Sequence, residues 1–181
     1  MKTYYIKSLH GVSWYLAWFA CIHFAAKGDA WTGTGITLCL IALQMLLQAH
    51  NRLPCRDALF FTVALSLLGT VTDTLWQYAG LVHFHANPFH APVSPPWMTA
   101  LWLSFGVNII LIYRNWLTHY LLWGSIVFPS MIFAYWLGVS VGAATVTTNP
   151  LYFYTALGTT WALLLPLCLF VFNHLQRKTQ P

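Results

Sequence analysis

Asp73 sits in the stretch LGTVTDTLWQYAG (68–80). It is one of three acidic residues in 181, with no Lys or Arg within ten positions on either side. Ionising a carboxyl group in apolar surroundings is costly. Such a group therefore faces a polar interior or stays protonated, and by default it binds a ligand or handles a proton. Ser66, Thr70, Asp73 and Gln77 recur at spacings of four, three and four and trace one stripe on an α-helix. Ala64, Leu68, Val71 and Leu75 hold the opposite face. Ser104 and Asn108, four apart, share a face of a later apolar run. At about 1.5 Å per residue, Asp73 lies roughly 13 Å below the end of its run, and Ser104 and Asn108 roughly 10 and 16 Å below theirs. Tyr135, Thr159 and Thr160 fall at comparable depth, so a shared polar layer around Asp73 is expected, opening toward the outer side. The structural alternative is a protonated Asp73 that donates to Asn108 or to a backbone carbonyl and ties helices together.

The second group with chemical potential is the loop HFHANPFHAPVSPP (83–96). In extended chain His83 and His85 share a face, and His90 folds back across the Asn87-Pro88 turn. Three imidazoles can hold Zn or Cu with a coordination position left open. The loop has no Cys, Asp or Glu to complete a more specific signature, and histidines beside Phe84 and Phe89 also suit a membrane interface without metal. The four cysteines, Cys21, Cys39, Cys55 and Cys168, are isolated from one another and form no CxxC. Paired carboxylates at helical spacing, HExxH, GxSxG and a glycine-rich phosphate loop are all missing from the sequence. The balance is against an enzyme.

The elements that must position these residues follow from composition. Hydrophobic residues make up 59% of the chain and charged residues 6%, with a mean hydropathy of +0.63. A soluble domain carries about a quarter charged residues. A chain this poor in charge cannot cover a water-facing surface, and the expectation is an all-α, polytopic transmembrane bundle forming a single domain over residues 1–181. Six apolar stretches, at about 11–26, 31–49, 58–82, 97–113, 120–142 and 151–173, are each near the 20 residues a spanning helix needs. KGDA, NRLPCRD, the histidine loop, RNW and TTNP separate them.

With the N-terminus inside, Lys2, Lys7, Arg52, Arg56, Arg114, Arg177 and Lys178 fall on the cytoplasmic side and only Lys27 on the other. That bias places both termini in the cytoplasm. It also turns the net charge of +5 into an orientation signal rather than a sign of nucleic-acid binding. Lys2 and Lys7 ahead of 11–26, with Ala26-Lys27-Gly28 after it, also fit a cleavable signal peptide, against which Trp14, Trp18 and His23 weigh.

PPWMTALWLSFGVNIILIYRNWL (95–117), FPSMIFAYWLGVSVGAA (128–144) and TDTLWQYAG (72–80) carry a family likeness. The chain resembles a family of small bacterial inner-membrane proteins classed as a domain of unknown function. The shared features are the Pro-x-Trp entry to a span, the LWLSF core, a Pro- and Tyr-containing span that closes on GAA, and an Asp on the third span. The resemblance implies a multi-span bundle in a bacterial inner membrane and brings no mechanism with it.

Three functions are therefore expected in order. The first is binding or moving a small or lipidic ligand through the layer of Asp73, Gln77, Thr70, Ser104, Asn108, Tyr135 and Thr159, with membrane lipid as surroundings. The second is a non-catalytic accessory subunit, docked onto a membrane partner through Gly138, Gly142 and Ala143. The third is a metal-dependent enzyme built on His83, His85 and His90. No organic cofactor is expected.

Overall fold

A computed structural model describes residues 2–50, 56–89 and 92–179. Six helices carry most of them: α1 (Lys2–Ala26), α2 (Thr32–His50), α3 (Arg56–Tyr78), α4 (Pro96–Ile112), α5 (Tyr120–Val141) and α6 (Pro150–Thr179). Among the described residues, three helical stretches are long and apolar enough to cross a membrane: Leu59–Tyr78, Tyr120–Val141 and Pro150–Arg177. α2 and α4 are apolar but shorter, and the 17 residues of α4 reach only about 25 Å. α1 begins well before the apolar run expected at 11–26.

The expectation of helices alone needs one correction. A two-stranded antiparallel pair, β1 (Val82–Phe84) with β2 (Ala144–Val146), joins the α3–α4 and α5–α6 connections, with His83 opposite Thr145. The helix expected to run to residue 82 stops at Tyr78. There Gly80 takes a left-handed φ of 67°, and the amides of Gly80 and Leu81 bond back to the carbonyls of Gln77 and Trp76. Gly142, at φ 91°, ends α5 in the same way and sends the chain into β2.

Sequential helices form the hairpins α1–α2, α3–α4 and α5–α6, and α4 also packs on α1 and α2. In α6 one residue per turn, Phe153, Leu157, Trp161, Leu165 and Leu169, is fully buried. Rings carry these contacts across the bundle: Phe172 meets Phe61 of α3 with centroids 5.1 Å apart, and Trp161 stacks on Trp102 of α4 at 4.1 Å. The outward faces are strongly apolar, with Phe19, Leu67, Leu121, Phe133 and Leu163 all exposed.

The α1–α2 interface is polar in a way the sequence reading missed. Thr37 donates to the carbonyl of Ala17 at 3.2 Å and touches the thiol of Cys21 at 3.1 Å, and Gln44 donates to the carbonyl of His10 at 3.2 Å. Gly33 lets the helices approach, because a Cβ there would lie 2.7 Å from the Ala20 carbonyl oxygen.

Candidate functional site

The polar stripe of α3 is where the spacing placed it. Ser66, Asp73 and Gln77 are buried and Thr70 half-buried, while Val71 and Leu75 face outward. Asp73 is fully buried, and both of its oxygens accept hydrogen bonds. The indole Nε1 of Trp102 donates to one at 2.6 Å, and the hydroxyl of Tyr135 donates to the other. No Lys, Arg or His is a hydrogen-bond partner of the carboxyl group among the described residues. Its partners are two neutral donors from two other helices.

Trp102 owes its place to a glycine. A Cβ on Gly69 of α3 would sit 2.3 Å from the Trp102 ring, so only a residue without a side chain leaves room for the indole against α3. Trp161 stacks on its other face. Phe84 and Phe153 approach the Tyr135 ring at 6.4 and 6.3 Å, which encloses the carboxyl group in aromatic surface. The indole nitrogens of Trp76 and Trp161 are buried nearby with no partner among the described residues.

The other residues singled out from the sequence divide. Tyr135 reaches Asp73. Thr70 bonds instead to the Thr99 hydroxyl at 3.0 Å, and Ser66 to the Thr99 carbonyl at 3.2 Å, so that half of the stripe joins α3 to α4. Gln77 staples the connecting chain: its amide donates to Val93 O and its carbonyl accepts from Phe84 N, each at 3.0 Å. Asn108 is not a partner of Asp73. Its Nδ2 donates to Ser104 O at 2.9 Å one turn back, and its Oδ1 is buried without a partner. Thr159 is exposed. Its depth is right but its face is wrong, since the buried stripe of α6 runs through Leu157 and Trp161 on either side of it. Trp102 was missed because an indole inside an apolar run reads as core.

The side of this layer expected to be open is closed. β1, β2 and residues 85–89 and 92–95 cover it, with Trp97 buried beneath and its Nε1 donating to His85 O at 3.0 Å. The opening lies elsewhere. A cavity of about 390 Å³ runs between α1, α4 and α5, from Tyr135 and Trp102 down to Tyr113 and Trp116. α1 and α5 meet where Ile22 faces Gly138. Farther along, the cavity is edged by exposed Tyr15, Leu122 and Ile126, and by exposed Trp116 in the α4–α5 connection. The Asp73 layer is therefore the ceiling of a lateral cleft, and Tyr135 and Trp102 are the residues that show in it.

His83 and His85 are neighbours, with ring centroids 5.6 Å apart. Both nitrogens of His85 are engaged: Nδ1 with Gly142 O at 2.8 Å and Nε2 with the Thr145 hydroxyl at 2.9 Å. The carbonyl can only accept, so Nδ1 donates to it, and Nε2 shares a hydrogen bond with the Thr145 hydroxyl, which can donate or accept. His90 lies outside the described residues, among which no group of three His, Cys, Asp or Glu residues is placed to hold a metal. The small-residue face is used within the chain: Gly138 and Ala143 are buried, and Gly142 is the turn that ends α5.

The fold and this layer define a class: a helical bundle, part of it long and apolar enough to cross a membrane, with one enclosed carboxyl group above an aromatic cleft. Within that class the chain belongs to the family described as Protein of unknown function (DUF2878), whose sequence profile matches residues 7–167. No curated protein and no solved structure matches it.

Proposed function

We propose that the protein is a six-span bundle of a bacterial inner membrane, both termini cytoplasmic, that binds a small lipidic ligand in the cleft between α1, α4 and α5. One observation carries this reading: the two residues that hold Asp73, Tyr135 and Trp102, also line the cleft. A volume of about 390 Å³ falls within the range of roughly 300–1,000 Å³ usual for ligand pockets. The wall is mostly aromatic and aliphatic, and the exposed residues that edge it, Tyr15, Leu122, Ile126 and Trp116, are themselves apolar or aromatic. Topology rests on the Lys and Arg bias and on the exposed apolar side chains around the helices.

In this role Asp73 is a positioning residue. It takes the Tyr135 proton into its own hydrogen bond and so leaves the phenol oxygen's lone pairs to face a ligand. A proton arriving at that oxygen can be matched by one passing to Asp73, so the pair suits proton-linked binding as well as static recognition.

The test is extraction in polymer nanodiscs, without detergent, followed by mass spectrometry of the co-purified small molecules. A species enriched over bulk lipid is expected, and it should be lost when Ala134→Phe fills the cleft. A folded protein whose lipid content matches the surrounding membrane, with or without Ala134→Phe, would overturn the reading.

A further inference from the structure

The two ends of the cleft differ in chemistry. We infer that its ligand is an anionic phospholipid, with one acyl chain in the cleft and its phosphate held between Lys7 and Arg114; the inference rests on the ligand-binding reading above and names the chemical class.

No Lys, Arg, His, Asp or Glu lines the cleft. Under Asp73 the donors are spent, Trp102 and Tyr135 both on the carboxyl group, and Met98, Leu101, Met131 and Ala134 complete the wall. A charged group there would lie unpaired in apolar surroundings, which is strongly disfavoured. That end takes hydrocarbon. The opposite end is set by α1 against α4. A Cβ on Gly11 would lie 3.9 Å from Ile112 Cδ1, and the rings of Trp14 and Phe105 are 6.4 Å apart. This antiparallel register brings Lys7 opposite residues 113–116. Lys7 stands one turn before Gly11 on the face that carries Gly11, Trp14 and Trp18, and a side chain there leans toward the helix N-terminus, past the end of the cleft. Arg114 is exposed between Tyr113 and Trp116, both of which line the cavity. Neither cation has an ion-pair or hydrogen-bond partner among the described residues.

Between the cations and the hydrocarbon end lie donors that the protein leaves unused. The hydroxyl of Tyr113 and the indole N–H groups of Trp116 and Trp14 have no partner among the described residues. Trp14 is seven residues beyond Lys7, roughly 10 Å along the helix. The order is therefore positive charge, then neutral donors, then an uncharged wall. A phospholipid presents the complementary order: phosphate, ester carbonyls, acyl chain. A fatty acid matches the first and last but leaves the neutral donors unused. A zwitterionic headgroup sets its own ammonium against Lys7 and Arg114. An anionic headgroup on an acyl ester satisfies all three zones.

The experiment uses the full chain in phosphatidylcholine nanodiscs and two photoreactive probes, phosphatidylglycerol and phosphatidylcholine carrying the same diazirine-bearing acyl chains. Labelled peptides are mapped by mass spectrometry. The phosphatidylglycerol probe is expected to label the cleft faces of α1, α4 and α5 roughly 5- to 25-fold more than the other, about 5-fold for each cation engaged. High salt should shrink that ratio. Lys7→Gln with Arg114→Gln should bring phosphatidylglycerol down to the phosphatidylcholine level and leave phosphatidylcholine unchanged. Arg177→Gln removes an equal charge from exposed α6 and should change neither probe; a fall as large as that from Arg114→Gln would mean general surface charge and overturn the inference. Equal labelling by the two probes in the unaltered protein would overturn it as well, and that arm needs no variant to fold. So would stronger labelling by the corresponding free fatty acid. Failure of every probe to label the cleft would instead overturn the ligand-binding reading itself.

Discussion

Two buried polar regions differ in how they are satisfied. Around Asp73, both carboxyl oxygens are held by donors from α4 and α5, and the group has no acceptor capacity turned to the cleft. In the other half of the helices, Asn108 Oδ1, Gln44 Oε1, Thr62 Oγ1 and both ring nitrogens of His10 are buried with no partner among the described residues. The charged type of residue is the paired one, and the neutral types are buried unpaired. The carboxyl group here fixes geometry, drawing the Trp102 indole and the Tyr135 hydroxyl from two other helices onto α3.

The largest way to break that comparison is Asp73→Ala. It strands the Trp102 indole N–H and the Tyr135 hydroxyl in the core, which should cost about 2–6 kcal/mol, two unsatisfied buried donors at about 1–3 each. The thermal unfolding midpoint in detergent reports it, and a loss under about 1 kcal/mol would mean that the donors re-pair. Gly69→Ala comes next. Its methyl group must displace the Trp102 ring, so a destabilisation of about 1–3 kcal/mol is expected, with a change in tryptophan emission. An unchanged spectrum and midpoint would show that α3 and α4 separate freely.

His10→Leu sharpens the comparison from the other side. Removing a buried ring with two unpaired nitrogens should be neutral or slightly stabilising, within about 1 kcal/mol. A loss beyond about 2 kcal/mol would place a partner on His10 and close the second region as well.

The smallest effect lies in the α1–α2 turn, where hydrogen bonds from Thr32 and from the backbone of Trp31 hold the exposed Asp29 carboxyl below its usual range. Its folded-state value is lowered, so its contribution is complete above the unfolded value of about 3.9 and is lost as pH falls through the lower folded one. Asp29→Asn should flatten the acid side of the stability profile slightly, and an identical profile would remove the turn from the account.

Much of this architecture is legible in the residues themselves. The Ser66–Gln77 stripe reports its face because polar groups in an apolar helix can only turn inward, and the end expected at 142 falls at Gly142, whereas the span expected to run to 82 overran the turn at Gly80. Depth along a helix was readable for Tyr135 and equally for Thr159, but azimuth was not. Thr159 shows that depth without a periodic partner says nothing about facing. Trp102 was hidden because its single polar atom is outweighed by its ring. Gln44 and Gln48 lie four apart on α2, and His10 and Ser13 three apart on α1, and these polar stripes on the paired helices were the signal overlooked. The strands β1 and β2, three residues each, are too short to carry a period.

The 62-residue separation of Asp73 from Tyr135 also sets an order of manufacture. Synthesis runs from the N-terminus, so the carboxyl group leaves the ribosome well before its tyrosine exists. Trp102, 29 residues on, arrives first, together with the Thr99 contacts to Ser66 and Thr70. The α3–α4 hairpin is therefore the unit that must hold a half-paired acid, and α5 completes the layer only when it joins.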